Sequence, residues 1–205
     1  MARGGTKDKI KQVALVLFAK DGYEATSMEQ IAKGVGIKKS SLYAFIKSKE
    51  LLFWELYEEL ESKYLNYMQE LFANSETMRA DARLLFLFKR YLLFYHASGA
   101  QEEVAARDFW IRVMFFPPTS FKEKIMARAL GYEQELGKNY IEIMIEGMTQ
   151  GTIKKDDPED LLISFYSLRQ GLYSLMAVFM EGMKMEEKED RIDKVWRNFW
   201  QGIKA

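Results

Sequence analysis

TSMEQIAKGVGIKKSSLYAFIKSK, residues 26–49, decides the fold of this chain. Thr26 and Glu29 stand at the spacing of a capping box, which predicts a helix from about Ser27. Met28, Ile31 and Ala32 then fall three and four apart, giving that helix one apolar face. Gly34 and Gly36 flank Val35, and glycine takes positive φ without a Cβ clash, so a sharp turn is expected here. A second helix over roughly residues 38–45 follows. Ile37, Leu42 and Ile46 turn inward, leaving Lys38, Lys39, Ser40, Ser41 and Tyr43 outside.

Two short helices joined by a glycine turn make a helix-turn-helix, whose second helix lies in the DNA major groove. Lysines and hydroxyls on that helix suit phosphate contacts, which position, and base-edge contacts, which specify. A core corner of an all-helical protein shares the same pattern, so charge is the discriminating observation. The first fifty residues hold ten basic side chains against five acidic ones, while the whole chain sums to zero. The remainder therefore carries five net negative charges. This asymmetry is the footprint of one nucleic-acid-facing module, with a solvated lysine face as the bland alternative.

VALVLFAKDGYEATSMEQIAKGVGIKKSSLYAFIKSKELL, residues 13–52, resembles the TetR family of bacterial transcriptional regulators. Phe18, Gly22 and Tyr23 end an amphipathic first helix, and Thr26-Ser27, Ile31-Ala32, Gly36, Leu42-Tyr43 and Ser48-Lys49-Glu50 follow in register. The resemblance covers about the first quarter of the chain closely. It implies an all-α homodimer with about nine helices per chain, a helix-turn-helix domain over residues 1–47 and a helical effector-binding and dimerisation domain over 48–205. It assigns DNA contacts to Thr26, Ser27, Lys38, Lys39, Ser40, Ser41, Tyr43, Lys47 and Lys49, the last placed to meet phosphate. Three positions depart from the family pattern. Lys38 stands where a serine or threonine usually caps the recognition helix, a loss of roughly 1 kcal/mol; Ser40 replaces a common glycine; Phe45 stands where histidine or tyrosine is frequent.

Composition narrows the function classes. With no cysteine there is no disulfide framework and no thiolate nucleophile, which suits a reducing cytoplasm. The polar start predicts no signal peptide, and no apolar run is long enough for a bilayer. An enzyme is disfavoured: HExxH and GxGxxG are absent, and residues 34–40 lack the P-loop order. His96 is the sole histidine. The acidic run Asp156, Asp157, Glu159, Asp160 fits the ordinary start of a helix. No catalytic residue, metal or cofactor is expected.

Along the chain, Arg3 lies in a frayed arm. Ile10, Val13, Ala14, Leu17 and Phe18 stripe a first helix over residues 6–21. Ser48 caps a fourth helix reaching about residue 72, the link from DNA head to body. Further helices are expected over 79–97, 101–116, 120–149 (loosened by Gly131 and Gly137), 158–181 and 189–203.

Twenty-five of the 29 aromatics and ten of the twelve methionines follow residue 50. Aromatic walls and polarizable methionines recur in pockets for varied apolar ligands, and they also build any large helical core. The resemblance favours a ligand cavity, with Phe88, Tyr95, Trp110, Met114, Tyr140, Met144, Phe165 and Tyr166 as walls and His96 or Arg169 as polar anchors. His96 also reads as a helix-end residue. Dimerisation has a local warrant: Ser164, Ser167, Gly171, Ser174 and Val178 form a small-residue stripe, beside the apolar face of Ile192, Val195, Trp196, Phe199 and Ile203. The expected partners are therefore a double-stranded DNA operator, a small apolar or aromatic inducer and a second copy of the chain.

Overall fold

The computed structural model describes residues 5–96 and 100–205, so Arg3 and Ala97 lie outside the described residues. Nine α-helices account for most of them: α1 (Thr6–Asp21), α2 (Met28–Val35), α3 (Lys39–Leu42), α4 (Lys49–Ser75), α5 (Ala80–Leu93), α6 (Gln101–Phe115), α7 (Lys122–Thr149), α8 (Pro158–Phe179) and α9 (Met185–Ile203). No strand occurs among the described residues beyond an isolated Ile153–Lys204 bridge. The all-α expectation and its helix count hold. The chain divides into two compact units, the described residues of Met1–Asn66 with Ser98–Ile125, and Tyr67–Ala97 with Met126–Ala205.

In the first unit, α1 buries Ile10, Ala14, Leu15, Phe18 and Ala19. It ends where Gly22 takes φ +86° and its N–H bonds the Phe18 carbonyl. α2 starts one residue later than the sequence suggests. Ser27, not Thr26, is the cap: its Oγ accepts from the Gln30 N–H at 3.2 Å, and the Gln30 side chain accepts from the Ser27 N–H at 2.7 Å. The reason is local, because the Thr26 hydroxyl is already donated to the Gly22 carbonyl at 2.8 Å.

The two glycines of the turn do different jobs. Gly36 alone is left-handed, at φ +84°. Its N–H reaches the Lys33 carbonyl at 3.2 Å while the Ile37 N–H reaches Ala32 at 3.0 Å, the paired bonds of a Schellman motif. Gly34 is helical and serves close approach to α1. The second helix is shorter than its expected span: α3 is regular only to Leu42, and turns carry the chain through Phe45. Lys38 supplies no side-chain cap. Ser48 does cap α4, its Oγ accepting from the Leu51 N–H at 3.1 Å.

Packing in this unit is aromatic. Phe53 on α4 meets Phe18, Tyr23, Phe109 and Phe121 with ring centroids 5.2–5.7 Å apart. The contacts to Phe18 and Tyr23 are edge-to-face and that to Phe121 is stacked, geometries that add to the burial of large side chains. Lys7 and Lys11 on α1 pair with Glu55 on α4 at 2.9 and 3.4 Å. Burial alone would raise the Glu55 carboxyl, but Lys7 and then Lys11 outweigh it and hold the group below its ordinary value.

The second unit centres on Leu84, Leu87, Phe88 and Leu92 of α5, Phe165 and Met176 of α8, and Ile192 and Trp196 of α9. α5 stops at Leu93 rather than running to Ala97, because Tyr95 turns to φ +76°. α9 begins earlier than expected, with Glu186 and Glu187 in its first turn where the dipole favours them. α7 is not interrupted at Gly131 or Gly137. A Cβ on Gly137 would sit 3.2 Å from Leu162, so that glycine admits α8 closely.

Candidate DNA-binding site

Leu42 anchors the short α3, being fully buried, and the residues around it are turned out. Lys38, Lys39, Ser40 and Ser41 are exposed, Tyr43 is 48% exposed and Phe45 45%. Lys39 meets Glu29 of α2 at 3.5 Å across two exposed side chains, a pairing weak enough to be exchanged for phosphate. Lys47 is exposed beside them. Residues 38–47 thus offer three exposed ammonium groups, two hydroxyls and a phenol.

Two expected contacts differ. Thr26 is 1% exposed with its hydroxyl committed to Gly22, so it builds the loop before α2 and offers DNA nothing through its side chain. Lys49, expected to meet phosphate, has its ammonium directed inside: it donates to the carbonyls of Tyr23 at 2.7 Å and Thr26 at 2.8 Å. Ser27 is exposed and serves as the α2 cap.

Arg112 of α6 is a residue the sequence reading missed. Its Nε donates to the Ala19 carbonyl at 2.9 Å and its Nη2 to Lys20 at 2.7 Å, closing the C-terminus of α1. A charge within the apolar run Trp110–Met114 was the available signal. Glu24, in the loop after α1, accepts from the Thr119 N–H at 3.1 Å. Burial, and then the carboxylates of Glu50 and Glu24, push the Tyr23 phenol up.

Of the effector candidates, Phe88, Tyr140, Phe165, Tyr166 and Arg169 come together in the second unit. Phe165 lies 6.0 Å from Phe88 and 5.1 Å from Tyr140, ring to ring. Arg169, only 2% exposed, is sandwiched between the rings of Tyr91 at 4.0 Å and Tyr166 at 4.1 Å and pairs with Glu133 at 3.3 Å. Met144 is buried in the same unit. His96 lies past the end of α5, edge-on to Tyr173 at 5.0 Å, and the neighbouring Tyr95 ring meets Phe94 at 4.2 Å. Trp110 and Met114 belong to the first unit, where Trp110 packs on Tyr57 at 5.3 Å.

The dimer candidates divide as well. Ser167, Gly171 and Val178 are exposed on α8, with Ile163, Leu175 and Phe179 exposed on the same helix. Ser174 is half-buried and bonds the Gln170 carbonyl. On α9, Val195 and Phe199 are half-buried. Ile192 and Trp196 are corrected: both are buried within their own unit, with Trp196 5.1 Å from Phe88, so neither is available to a partner. The core of α5 and α8 consumes that face of α9.

No helix among the described residues is long and apolar enough to cross a membrane. Among them no group of acidic, histidine or cysteine side chains is placed to hold a metal. Asp157 instead caps α8, accepting from the Glu159 N–H at 2.8 Å.

The family described as "Bacterial regulatory proteins, tetR family" matches residues 10–56. The chain is 34% identical over 111 residues to the biofilm operon icaADBC HTH-type negative transcriptional regulator IcaR of Staphylococcus aureus. That match spans 50% of this chain and 59% of the relative's length. Among solved structures, the ketosteroid transcriptional regulator KstR2 of Mycobacterium tuberculosis is similar with TM-score 0.70 and 18% identity, over 98% of this chain and 96% of that one. AibR, solved with isovaleryl coenzyme A and operator DNA, is similar with TM-score 0.59 and 20% identity, over 84% and 96%. Residues 10–56 thus carry the sequence pattern of the TetR family, and the described helices are similar in fold to solved transcriptional regulators.

Proposed function

We propose that this chain is a transcriptional repressor acting in the cytoplasm, binding a palindromic operator as a homodimer and released by a small, largely apolar inducer. The exposure of Lys38, Lys39, Ser40, Ser41 and Tyr43 on the second helix of a helix-turn-helix carries this reading. Such a helix enters the major groove with its N-terminal residues against base edges. IcaR is a negative regulator and AibR was solved on operator DNA, which supports the assignment for a chain similar to both.

Dimerisation rests on α8. Gly171 is exposed in mid-helix, and a Cβ there would meet nothing within 4 Å of its own chain. A glycine in a helix interior costs about 1 kcal/mol relative to alanine, and close approach of a second helix accounts for it. Ile163, Leu175, Val178 and Phe179 supply apolar area beside it. A stable association buries over ~1,200 Å². A two-fold pair then sets its recognition helices about 34–36 Å apart, or a multiple of that, and demands a palindrome.

For the inducer, the cluster around Phe88, Tyr140, Met144, Phe165 and Arg169 in the second unit is the favoured site. AibR was solved with isovaleryl coenzyme A, and KstR2 is a ketosteroid regulator; both point to partly apolar ligands for this fold. Release requires that inducer bind the DNA-incompetent state more tightly, so DNA and inducer weaken each other reciprocally. The test is binding to the DNA upstream of its own gene, titrated against salt, for the native chain and for Lys39→Ala/Tyr43→Ala. A steep salt slope with sequence preference lost in the variant supports the reading. Binding indifferent to sequence and to both substitutions, on DNA selected from random pools as well, overturns it.

A further inference from the structure

Lys49 is the first residue of α4, where a cation faces the positive end of the helix dipole. Something else must hold it there. Its ammonium donates to Tyr23 O at 2.7 Å and Thr26 O at 2.8 Å, with Glu24 O at 3.4 Å, and it lies 4.2 Å from the centroid of the Tyr23 ring. An ammonium has three donors, and three carbonyls surround this one. All three belong to the loop between α1 and α2, whose next residue, Ser27, caps α2. Tyr23 is itself seated against Phe53 of α4 at 5.2 Å and Phe121 at 4.8 Å. The same side chain thus fixes the start of α2 relative to the start of α4.

We propose that Lys49 is a positioning residue: it clamps the α1–α2 loop onto the N-terminus of α4, setting the attitude of the recognition helix, and makes no phosphate contact of its own. This deepens the DNA-binding reading and rests on it. Phosphate contact would require the ammonium to leave carbonyls that it already satisfies. Lys38, Lys39 and Lys47 are exposed nearby and carry the electrostatic task.

The slope of affinity against salt separates the two roles. Each phosphate contact contributes about 0.9 to the slope of log K against log salt. Lys49→Met is expected to weaken operator binding roughly tenfold or more with the slope unchanged, and to speed amide exchange in residues 25–30. The chain has no cysteine, so Lys49→Cys offers a single alkylation site. There the thiolate displaces bromide from 2-bromoethylamine, forming a C–S bond that restores an ammonium at lysine length. Iodoacetamide, losing iodide to the same thiolate, leaves a neutral amide. Aminoethylation is expected to restore affinity and slow loop exchange, and the neutral adduct to do neither, with folding of each form checked by circular dichroism. A slope reduced by about 0.9 with unchanged loop exchange makes Lys49 a phosphate contact and overturns the proposal. So does native affinity in Lys49→Met. Should the native chain bind no operator, the DNA reading fails, and loop exchange alone still decides the clamp: faster in Lys49→Met supports it, unchanged overturns it.

Discussion

Cγ1 of Val13 occupies the space a side chain on Gly34 would need: a Cβ on Gly34 would lie 2.6 Å from it. Val13 sits in α1 and Gly34 in α2, so this contact sets how closely the first two helices of the head approach. Valine is stiff about χ1 in a helix and cannot swing its methyl aside cheaply. Gly34→Ala should therefore destabilise the chain by ~1–3 kcal/mol, although alanine is by propensity the better helix former by about 1 kcal/mol. Adding Val13→Ala should recover part of the loss. Urea unfolding of both single variants and the double closes the cycle, and a Gly34→Ala chain more stable than the native one would refute the crowding.

The N-cap of α3 is a weak point in a head otherwise well capped. Lys38 makes no side-chain bond there, while Ser27 and Ser48 cap α2 and α4. Lys38→Ser should stabilise the chain by about 0.5–1 kcal/mol and remove one phosphate-seeking charge, lowering the salt slope of DNA binding by about 0.9. Stability and binding would then move in opposite directions. A thermal midpoint unchanged by the substitution would mean that the helix end has no need of a cap.

What the sequence made legible here followed from patterns local in the chain. The Gly36 turn, the Ser48 cap, the inward Leu42 and the outward lysines are all set by neighbours within a few residues. Lys49 and Arg112 were misread or missed because their partners lie 23 or more residues away, and nothing in a capping or periodicity pattern encodes a lysine reaching three loop carbonyls. Thr26 was given the role of Ser27 for a related reason: two adjacent hydroxyls compete, and only the fold decides which one the Gly22 carbonyl takes. Ile192 and Trp196 show the same limit from the apolar side. An amphipathic face announces burial without saying whether its own unit or a partner covers it.

Arg112 closes the end of α1 with two bonds to main-chain carbonyls that no helix N–H can reach. Arg112→Met keeps the apolar stem but loses both, and should cost about 1–2 kcal/mol in this half-buried setting. Lysine at this position recovers at most one bond, lacking the planar fork. Hydrogen exchange should quicken at the last turn of α1 and in the loop after it. Equal protection there in native and Arg112→Met chains would reduce the contact to surface decoration.

In the second unit the tyrosines around Arg169 predict how the chain meets alkali. Tyr91 donates its hydroxyl to Gln170 Oε1 at 2.8 Å, and burial pushes its phenol up to about 12 against the pull of the Arg169 charge. Burial likewise raises Tyr140 and Tyr166. In the unfolded chain each ionises near the ordinary tyrosine value of 10.0, so the folded form binds protons that the unfolded form has already released. The stabilisation is fully present below pH 10 and is lost as pH rises toward 12, at about 1.4 kcal/mol per pH unit for one such group. Tyr91→Phe should cost about 1 kcal/mol at neutral pH, because Gln170 loses its partner. It should also fall off less steeply between pH 10 and 12, so that the two stability curves converge. Urea midpoints across that range test this, with tyrosinate absorbance marking ionisation. Parallel curves for the native and Tyr91→Phe chains would mean that Tyr91 ionises in the folded state as readily as in water, and that its ring is not sealed around Arg169.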